Sequence, residues 1–474
     1  MNKITNQYRF LAAVVLECTT PLIIGSGNKT IKTDSQINID CNGLPFIPGT
    51  TLTGILRHTF EERFANIGYD YDELFGYIRG KNGSGSRVII TEAKILDQEG
   101  IVIDGLQDVD TWSKNRKDFF NQFSALPIRQ HAKIGHQGTT VDGGKFDEEV
   151  IFKGTRFCFE MELVSNDATN ESFFKKALDI IASETFSIGG KTNSGFGKIK
   201  VHTIKYKDLN FDHKDQFDLY LNKSAQINYN WSAYTDYKPS EIEKGLTKYV
   251  LDLTPEDFIF FSSGFGNENA DNTSVKEKFV KWEGNKAHFV EATQSILIPA
   301  TSVKGAIAHR TAFHYNKLKG CFATKGANFD EITGKNNNAV FALFGSEGEK
   351  NAQGKTQNKR KGVVIFSDVL QVKKNTTRDK IFNHVAIDRF TGGTIDGALF
   401  NGEYLYAKDE NIKLEIFVDE SKITKDKDDV IKAFELALAD VKNGLLPLGG
   451  GVTKGNGTFS GKLTKNGEEI YGDN

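Results

Sequence analysis

The chain has no run of about 18 apolar residues, the minimum for a membrane-spanning helix. Its opening, MNKITNQYRFLAAVVLE, has no long apolar stretch ahead of a small-residue cleavage site. A cytoplasmic protein with no membrane partner is expected. The four cysteines, Cys18, Cys41, Cys158 and Cys321, lack C-x-x-C spacing and a matching histidine pair, which argues against a disulfide framework or a structural zinc site. Proline and methionine are scarce, at 8 and 2 residues. Positive charge is lacking too: the formal net charge is -2, so any contact with nucleic acid must be local rather than a property of the whole surface.

What is there is length, glycine and phenylalanine. At 474 residues the chain is too long for one ordinary core, and two domains are expected. With 38% hydrophobic and 26% charged residues it has the composition of a folded protein. The 46 glycines and 36 phenylalanines predict tight turns and glycine loops between aromatic-rich strands and helices. Two basic runs, NKRKG at 358–362 and KGCFATKG at 319–326, are read first as solvated loops.

One ordered series of segments occurs twice. LIIGSGN at 22–28 and LPFIPGTTLTGILRHTFEERF at 44–64 are followed by Leu74-Phe75-Gly76 and SRVIITEAKIL at 86–96. FIFFSSGFGNEN at 258–269 and ILIPATSVKGAIAHRTAFHY at 296–315 are followed by Leu343-Phe344-Gly345 and GVVIFSDVLQV at 362–372. VDGGKFDEEVIFKGTRFCFEMEL at 141–163 parallels the segment 386–418, and each copy ends in a glycine loop, SIGGKTNSGFGKIKV at 187–201 or PLGGGVTKGNGTFSGKL at 447–463. The order points to duplication, with a first domain at 1–205, a polar linker at 206–245 and a second domain at 246–474. Each copy reads as strand, hairpin, helix (51–64; 302–318), strands, second helix (173–184; 428–443) and last strand. That pattern predicts an α+β chain of two tandem ferredoxin-like, or RRM-like, domains.

Several segments suit a polyanion. Pro48, Gly49, Thr50 and Thr51 read as a turn and helix start whose free amides and dipole could face a phosphate, with Arg57 two turns on. The matching set is Pro299, Ala300, Thr301 and Ser302, with Lys304 and Arg310. The glycine loops allow close backbone approach and carry donors at Lys191, Asn193 and Ser194, or at Thr453 and Lys454. No Walker Lys-Ser/Thr pair follows the glycines and the order is helix, loop, strand, so no nucleotide cofactor is expected.

The I-P-G/A-[ST]-[ST]-x-x-G segment, the L-F-G turn, the loop Asn383–Gly392 and the terminal G-G-x-x-x-x-G-x-G loop together resemble the RAMP superfamily, and within it the backbone subunits of type III CRISPR effector complexes. The two-domain fusion looks like the fused subunits of type III-D-like systems. The resemblance implies domains with β-hairpin thumb insertions that hold a crRNA guide and position complementary target RNA, beside other RAMP-family and large-subunit proteins. Base pairing would supply specificity while the protein reads shape and phosphate. His384 and Arg389 fall in the segment matched to a thumb.

The resemblance also implies a target-cleaving aspartate in the loop before the I-P-G segment. Asp34 matches it, as a carboxylate that could hold Mg or Mn or accept the 2′-hydroxyl proton. In the second copy Asp271 is the counterpart, although it stands twice as far ahead of Pro299 as Asp34 does of Pro48. Two alternatives stay open: a guide-processing endoribonuclease using histidines such as His58, His131, His136, His309 or His314, and a purely structural RNA-binding module.

Overall fold

The computed structural model describes residues 6–29, 33–64, 71–135, 138–227, 231–241, 245–324, 328–334, 336–346, 348–350, 356–357 and 359–472. His136, Asn358 of the first basic run and Lys325 and Gly326 of the second lie outside them.

In the first copy the elements are β1 (Tyr8–Cys18), α1 (Gly49–Phe64), β2 (Val88–Ile90), a protruding hairpin β3 (Ile128–Ile134) and β4 (Thr140–Glu149), β5 (Arg156–Ser165), α2 (Glu171–Ala182), the two-residue β6 (Ser194–Gly195) and β7 (Ile199–Asn210). The sheet runs β7-β1-β5-β2, with every pairing antiparallel. β1 reads FLAAVVL without alternation because it is the central strand, covered on both faces. α1 presents Leu52, Leu56 and Phe60 inward at four-residue spacing. Phe60 meets Phe173 of α2 at 4.5 Å between ring centroids, so the two helices close one face of the sheet.

The second copy repeats the plan with β8 (Thr247–Pro255), hairpin β9 (Phe279–Glu283) and β10 (Lys286–Val290), α3 (Ala300–Leu318), β11 (Val364–Ser367), hairpin β12 (Arg378–His384) and β13 (Phe400–Tyr406), β14 (Ile412–Val418), α4 (Lys427–Lys442) and β15 (Phe459–Lys465). Its sheet runs β15-β8-β14-β11. Both sheets therefore share the 4-1-3-2 antiparallel order of a ferredoxin-like β-α-β-β-α-β unit, each with a thumb hairpin inserted between its second and third strands. Each copy has its own principal core.

The described residues of the 206–245 segment are packed. β7 runs on to Asn210, a helix spans Lys214–Leu221, and Thr235–Asp236 pairs with Lys205 and Tyr206. Leu209, Phe211 and Tyr234 bury themselves with Leu11 in a small core of their own. Polar composition described the outer face of this strap and missed the few apolar residues that pin it.

The copies also interlock. β6 of the first copy pairs in parallel with β11 and so extends the second copy's sheet. In return the β9–β10 hairpin enters the first copy, where Val280 joins the core, Phe289 packs on Phe119, Phe123 and Phe152 at 5.0–5.8 Å, and the Trp282 indole donates to the Gly154 carbonyl at 2.8 Å. Arg156 lies 3.8 Å over the Trp282 ring. No helix among the described residues is long and apolar enough to cross a membrane.

Candidate nucleic-acid interface

Asp34 is exposed and sits beside the thumb strand β4. Its backbone N–H donates to the Asp147 carboxylate at 2.8 Å, and the Asp147 N–H donates back to Asp34 Oδ2 at 3.3 Å. In the second copy the Asp271 N–H donates to the Asn401 side-chain oxygen at 2.7 Å, and the Asn401 N–H donates to Asp271 Oδ2 at 2.9 Å. Asp147 and Asn401 occupy matching places on β4 and β13, each one residue after the phenylalanine of the hairpin's His-Phe cross-strand pair, His131 with Phe146 and His384 with Phe400. Asp34 and Asp271 are thus the same position in the two domains. The unequal spacing in sequence has a plain cause: the second copy carries the β9–β10 hairpin where the first has the short turn Asp40–Leu44.

As a metal-binding set the first copy offers two adjacent carboxylates, Asp34 and Asp147, and the second offers Asp271 beside an amide. No cluster of three or more His, Cys, Asp or Glu groups suited to a metal occurs among the described residues. Such a donor set fits a hard divalent ion that draws its remaining ligands from phosphate and water, and does not fit an all-protein cage.

A stacked trio stands on each thumb. His131 stacks on Phe146 at 4.8 Å, and the Lys191 ammonium lies 3.9 Å above the same ring. His384 stacks on Phe400 at 5.0 Å, with Lys454 at 4.8 Å. The partners differ. In the first copy the buried Glu148 lies 2.8 Å from His131 Nε2 and accepts from Lys191 at 2.6 Å. Burial would raise the Glu148 carboxyl, yet these two neighbours hold it below the usual carboxylate range. Strand register puts Gly402 in the place of Glu148, and His384 instead meets the Tyr404 hydroxyl at 3.1 Å. Burial and the nearby Lys454 charge lower the His384 pKa.

The two helix starts differ as well. Thr50 is exposed and Thr51 half-buried at the head of α1. At the head of α3, beside half-buried Thr301 and exposed Ser302, the Ala300 N–H donates to Asp368 at 2.7 Å. Asp368 is in turn 3.1 Å from the buried Arg129 guanidinium, which also pairs with Glu277. A protein carboxylate therefore occupies the place where a phosphate was expected in the second copy. Lys304, whose pKa burial lowers, donates at 3.3 Å to both the Asn193 carbonyl and the Ser194 hydroxyl. Asn193 donates to the Gly362 carbonyl at 2.6 Å. The first glycine loop thus faces the second domain, while Thr453 and Lys454 of the second loop are exposed.

Arg57 and Arg310 serve helix ties. Arg57 donates to Glu61, to Asp72 and to the Gly76 carbonyl, holding the L-F-G turn against α1. Arg310 pairs with Asp440 of α4, which also takes His314 Nε2 at 2.7 Å. Arg389 is exposed at the second thumb's tip beside Phe390, which is 99% exposed. His58 and His309 are exposed at matching places on α1 and α3. The sequence reading missed Arg129, Asp147, Glu148, Phe146 and Phe400. Only Phe146 and Phe400 left a signal, as the Lys-Phe-Asp and Leu-Phe-Asn steps at the same point of each repeat.

The model of the RAMP superfamily matches this chain twice, at residues 15–200 and 283–460. The chain is also similar to the CRISPR system Cms endoribonuclease Csm3 of Methanocaldococcus jannaschii. The two are 26% identical over 225 residues, covering 43% of this chain and 83% of that protein.

Proposed function

Because the chain belongs to the RAMP superfamily, with two copies of the fold in tandem, we propose that it is a backbone subunit of a type III CRISPR effector complex. In this reading residues 1–205 and 246–474 each hold a segment of crRNA, with 206–245 connecting them. Target RNA, other RAMP-family proteins and a large subunit are the remaining partners. The similarity to a Csm3 endoribonuclease supports the assignment. The observation that carries it is the duplicated aspartate cradle, Asp34 with Asp147 and Asp271 with Asn401.

Cleavage of target RNA follows from an exposed carboxylate held at the root of a thumb. The hydrogen bonds to β4 and β13 fix each aspartate's backbone and one of its oxygens. The carboxylate accepts the proton of a ribose 2′-hydroxyl as that oxygen attacks the adjoining phosphorus in line, the P–O5′ bond breaks to leave a 2′,3′-cyclic phosphate, and the departing 5′-oxygen takes its proton from water. A bound Mg or Mn ion would neutralise the phosphate charge. The test uses the assembled complex with a complementary, end-labelled RNA. Asp34→Ala should remove one cut by at least about 100-fold in rate and Asp271→Ala the other, with both cuts lost in EDTA. An unchanged ladder with Asp34→Ala rejects the assignment, and cleavage of free repeat RNA by the isolated chain would favour a guide-processing enzyme.

A further inference from the structure

The sheet of the first domain ends on β7, and that edge is only partly closed. Thr235 and Asp236 of the strap pair with Tyr206 and Lys205, and the Tyr237 N–H adds one more rung at the Ile204 carbonyl, 2.9 Å away. The strap then leaves. Pro239 has no N–H to give, and the Ser240 N–H turns instead to the Asp179 carboxylate of α2 at 2.8 Å. Beyond that point no backbone hydrogen bond reaches the outer side of Ile199–Thr203 among the described residues. These five residues span about 16 Å of strand.

A groove of about 760 Å³ runs along them. It is lined by the edge from Lys198 to Ile204, by the end of α2, by the strap from Asp236 to Pro239, and by Lys248 and Glu415 of the second domain. An unpaired edge of this kind is a template for another strand.

The charges along the edge say what kind of strand it suits. From Lys198 to Lys207 the sequence reads KIKVHTIKYK. Each neighbour packed against this strand brings a carboxylate to a lysine: Asp236 meets Lys205 at 2.7 Å, and Glu415 meets Lys198 at 2.9 Å. Lys200 lies between the two, in the groove. It is exposed, with no carboxylate within ion-pair distance among the described residues. Glu17, its cross-strand neighbour on β1, is taken by Arg156 at 2.7 Å. His202 marks a bulge in the ladder with β1 and lies 3.3 Å from the Arg156 guanidinium. Burial and that charge lower its pKa, so the ring is neutral at pH 7 and leaves Lys200 unmatched. Lysines spaced along an exposed edge repel a copy of the same edge and admit a strand that carries acid.

We propose that this groove is a strand-addition site for an extended acidic segment of another protein. The segment's backbone pairs with Ile199–Thr203 in line with the strap, and its carboxylate meets Lys200 as Asp236 meets Lys205. Main-chain pairing supplies the affinity and the lysine selects the side chain opposite. Neither Asp34 nor Asp271 takes part, so the site is independent of the reading of the chain as an RNA-cleaving subunit.

The test uses the full chain and a fluorescein-labelled peptide, Thr-Val-Thr-Glu-Thr-Val-Thr, followed by anisotropy and by amide hydrogen exchange. Three further probes are the same peptide with Lys in place of Glu, the acidic peptide N-methylated throughout, and a single-stranded oligouridine. The acidic peptide should bind and slow exchange within Ile199–Thr203, and N-methylation should abolish both effects. The Lys peptide should bind at least about tenfold more weakly. Lys200→Glu, a change on an exposed side chain that should leave the urea midpoint where it was, should reverse the preference between the two peptides. Failure of the acidic peptide to bind at about 1 mM, equal binding of the Glu and Lys peptides, retained binding after N-methylation, or protection confined to other amides would each overturn the proposal. Protection of Ile199–Thr203 by the oligouridine and not by the peptide would make the groove a phosphate site. Protection that rises with protein concentration alone, with a dimer in light scattering, would make its occupant a second copy of the chain. Either result rejects the acidic strand.

Discussion

At the scale of single residues, Arg129 bears the most weight. Its guanidinium is 5% exposed and faces two carboxylates, Glu277 at 2% and Asp368 at 1%. Burial raises the Asp368 pKa and the Arg129 charge opposes the rise, so the arginine is what keeps the pair of acids tolerable in the interface. Removing one partner of a buried ionic group costs about 3–5 kcal/mol because the others are left uncompensated. Arg129→Met should therefore destabilise the folded chain by about that amount in urea titration, and Arg129→Met with Asp368→Asn and Glu277→Gln should recover much of it. None of this was legible beforehand. Asp34 could be found because it precedes a recognisable segment, but Arg129 meets its partners more than a hundred residues away, and nothing in the local pattern marks it.

At the scale of elements, the repeat gave away the helices, the sheet strands and the glycine loops. Helices expected at 51–64, 302–318, 173–184 and 428–443 occur as Gly49–Phe64, Ala300–Leu318, Glu171–Ala182 and Lys427–Lys442. The first two start earlier because Pro48 and Pro299 accept the first-turn bonds. What the repeat concealed was that equivalent loops do unequal things. The first glycine loop is an interdomain strand, and the helix start it meets is already filled by Asp368. Gly154 shows how tightly the copies fit: its φ is +82° and an added Cβ would fall 1.8 Å from the Val280 carbonyl oxygen. Gly154→Ala should push the β9–β10 hairpin out of the first domain. The expected readouts are a loss of at least about 2 kcal/mol and new protease cleavage near Gly284, while Gly284→Ala, where nothing lies within 4 Å, should lose less than about 1–2 kcal/mol from its positive φ alone.

At the scale of the whole molecule, two homologous domains are held in one relative placement by ionic as well as apolar contacts. Glu415 of the second domain takes Lys198 of the first at 2.9 Å and its own Lys248 at 3.1 Å. Burial alone would raise its carboxyl, but the two ammonium groups bring it down to about 2 from an ordinary value of 4.5. A depressed carboxyl stabilises the fold fully above its unfolded value and loses that contribution as pH falls through the folded one. The Glu415 contribution should be complete above about pH 4.5 and fade toward pH 2, so Glu415→Gln should flatten that limb of the acid denaturation curve.

The strand Ser194–Gly195 has a bearing on the order in which the gene is read. It closes the outer side of β11, a row of backbone groups that would otherwise invite pairing with a stranger. Translation delivers the amino-terminal half first, so the lid is already waiting when the carboxy-terminal half leaves the ribosome. A permuted gene that encoded the halves in reverse would release the later sheet bare, and its nascent product should aggregate before the lid was made.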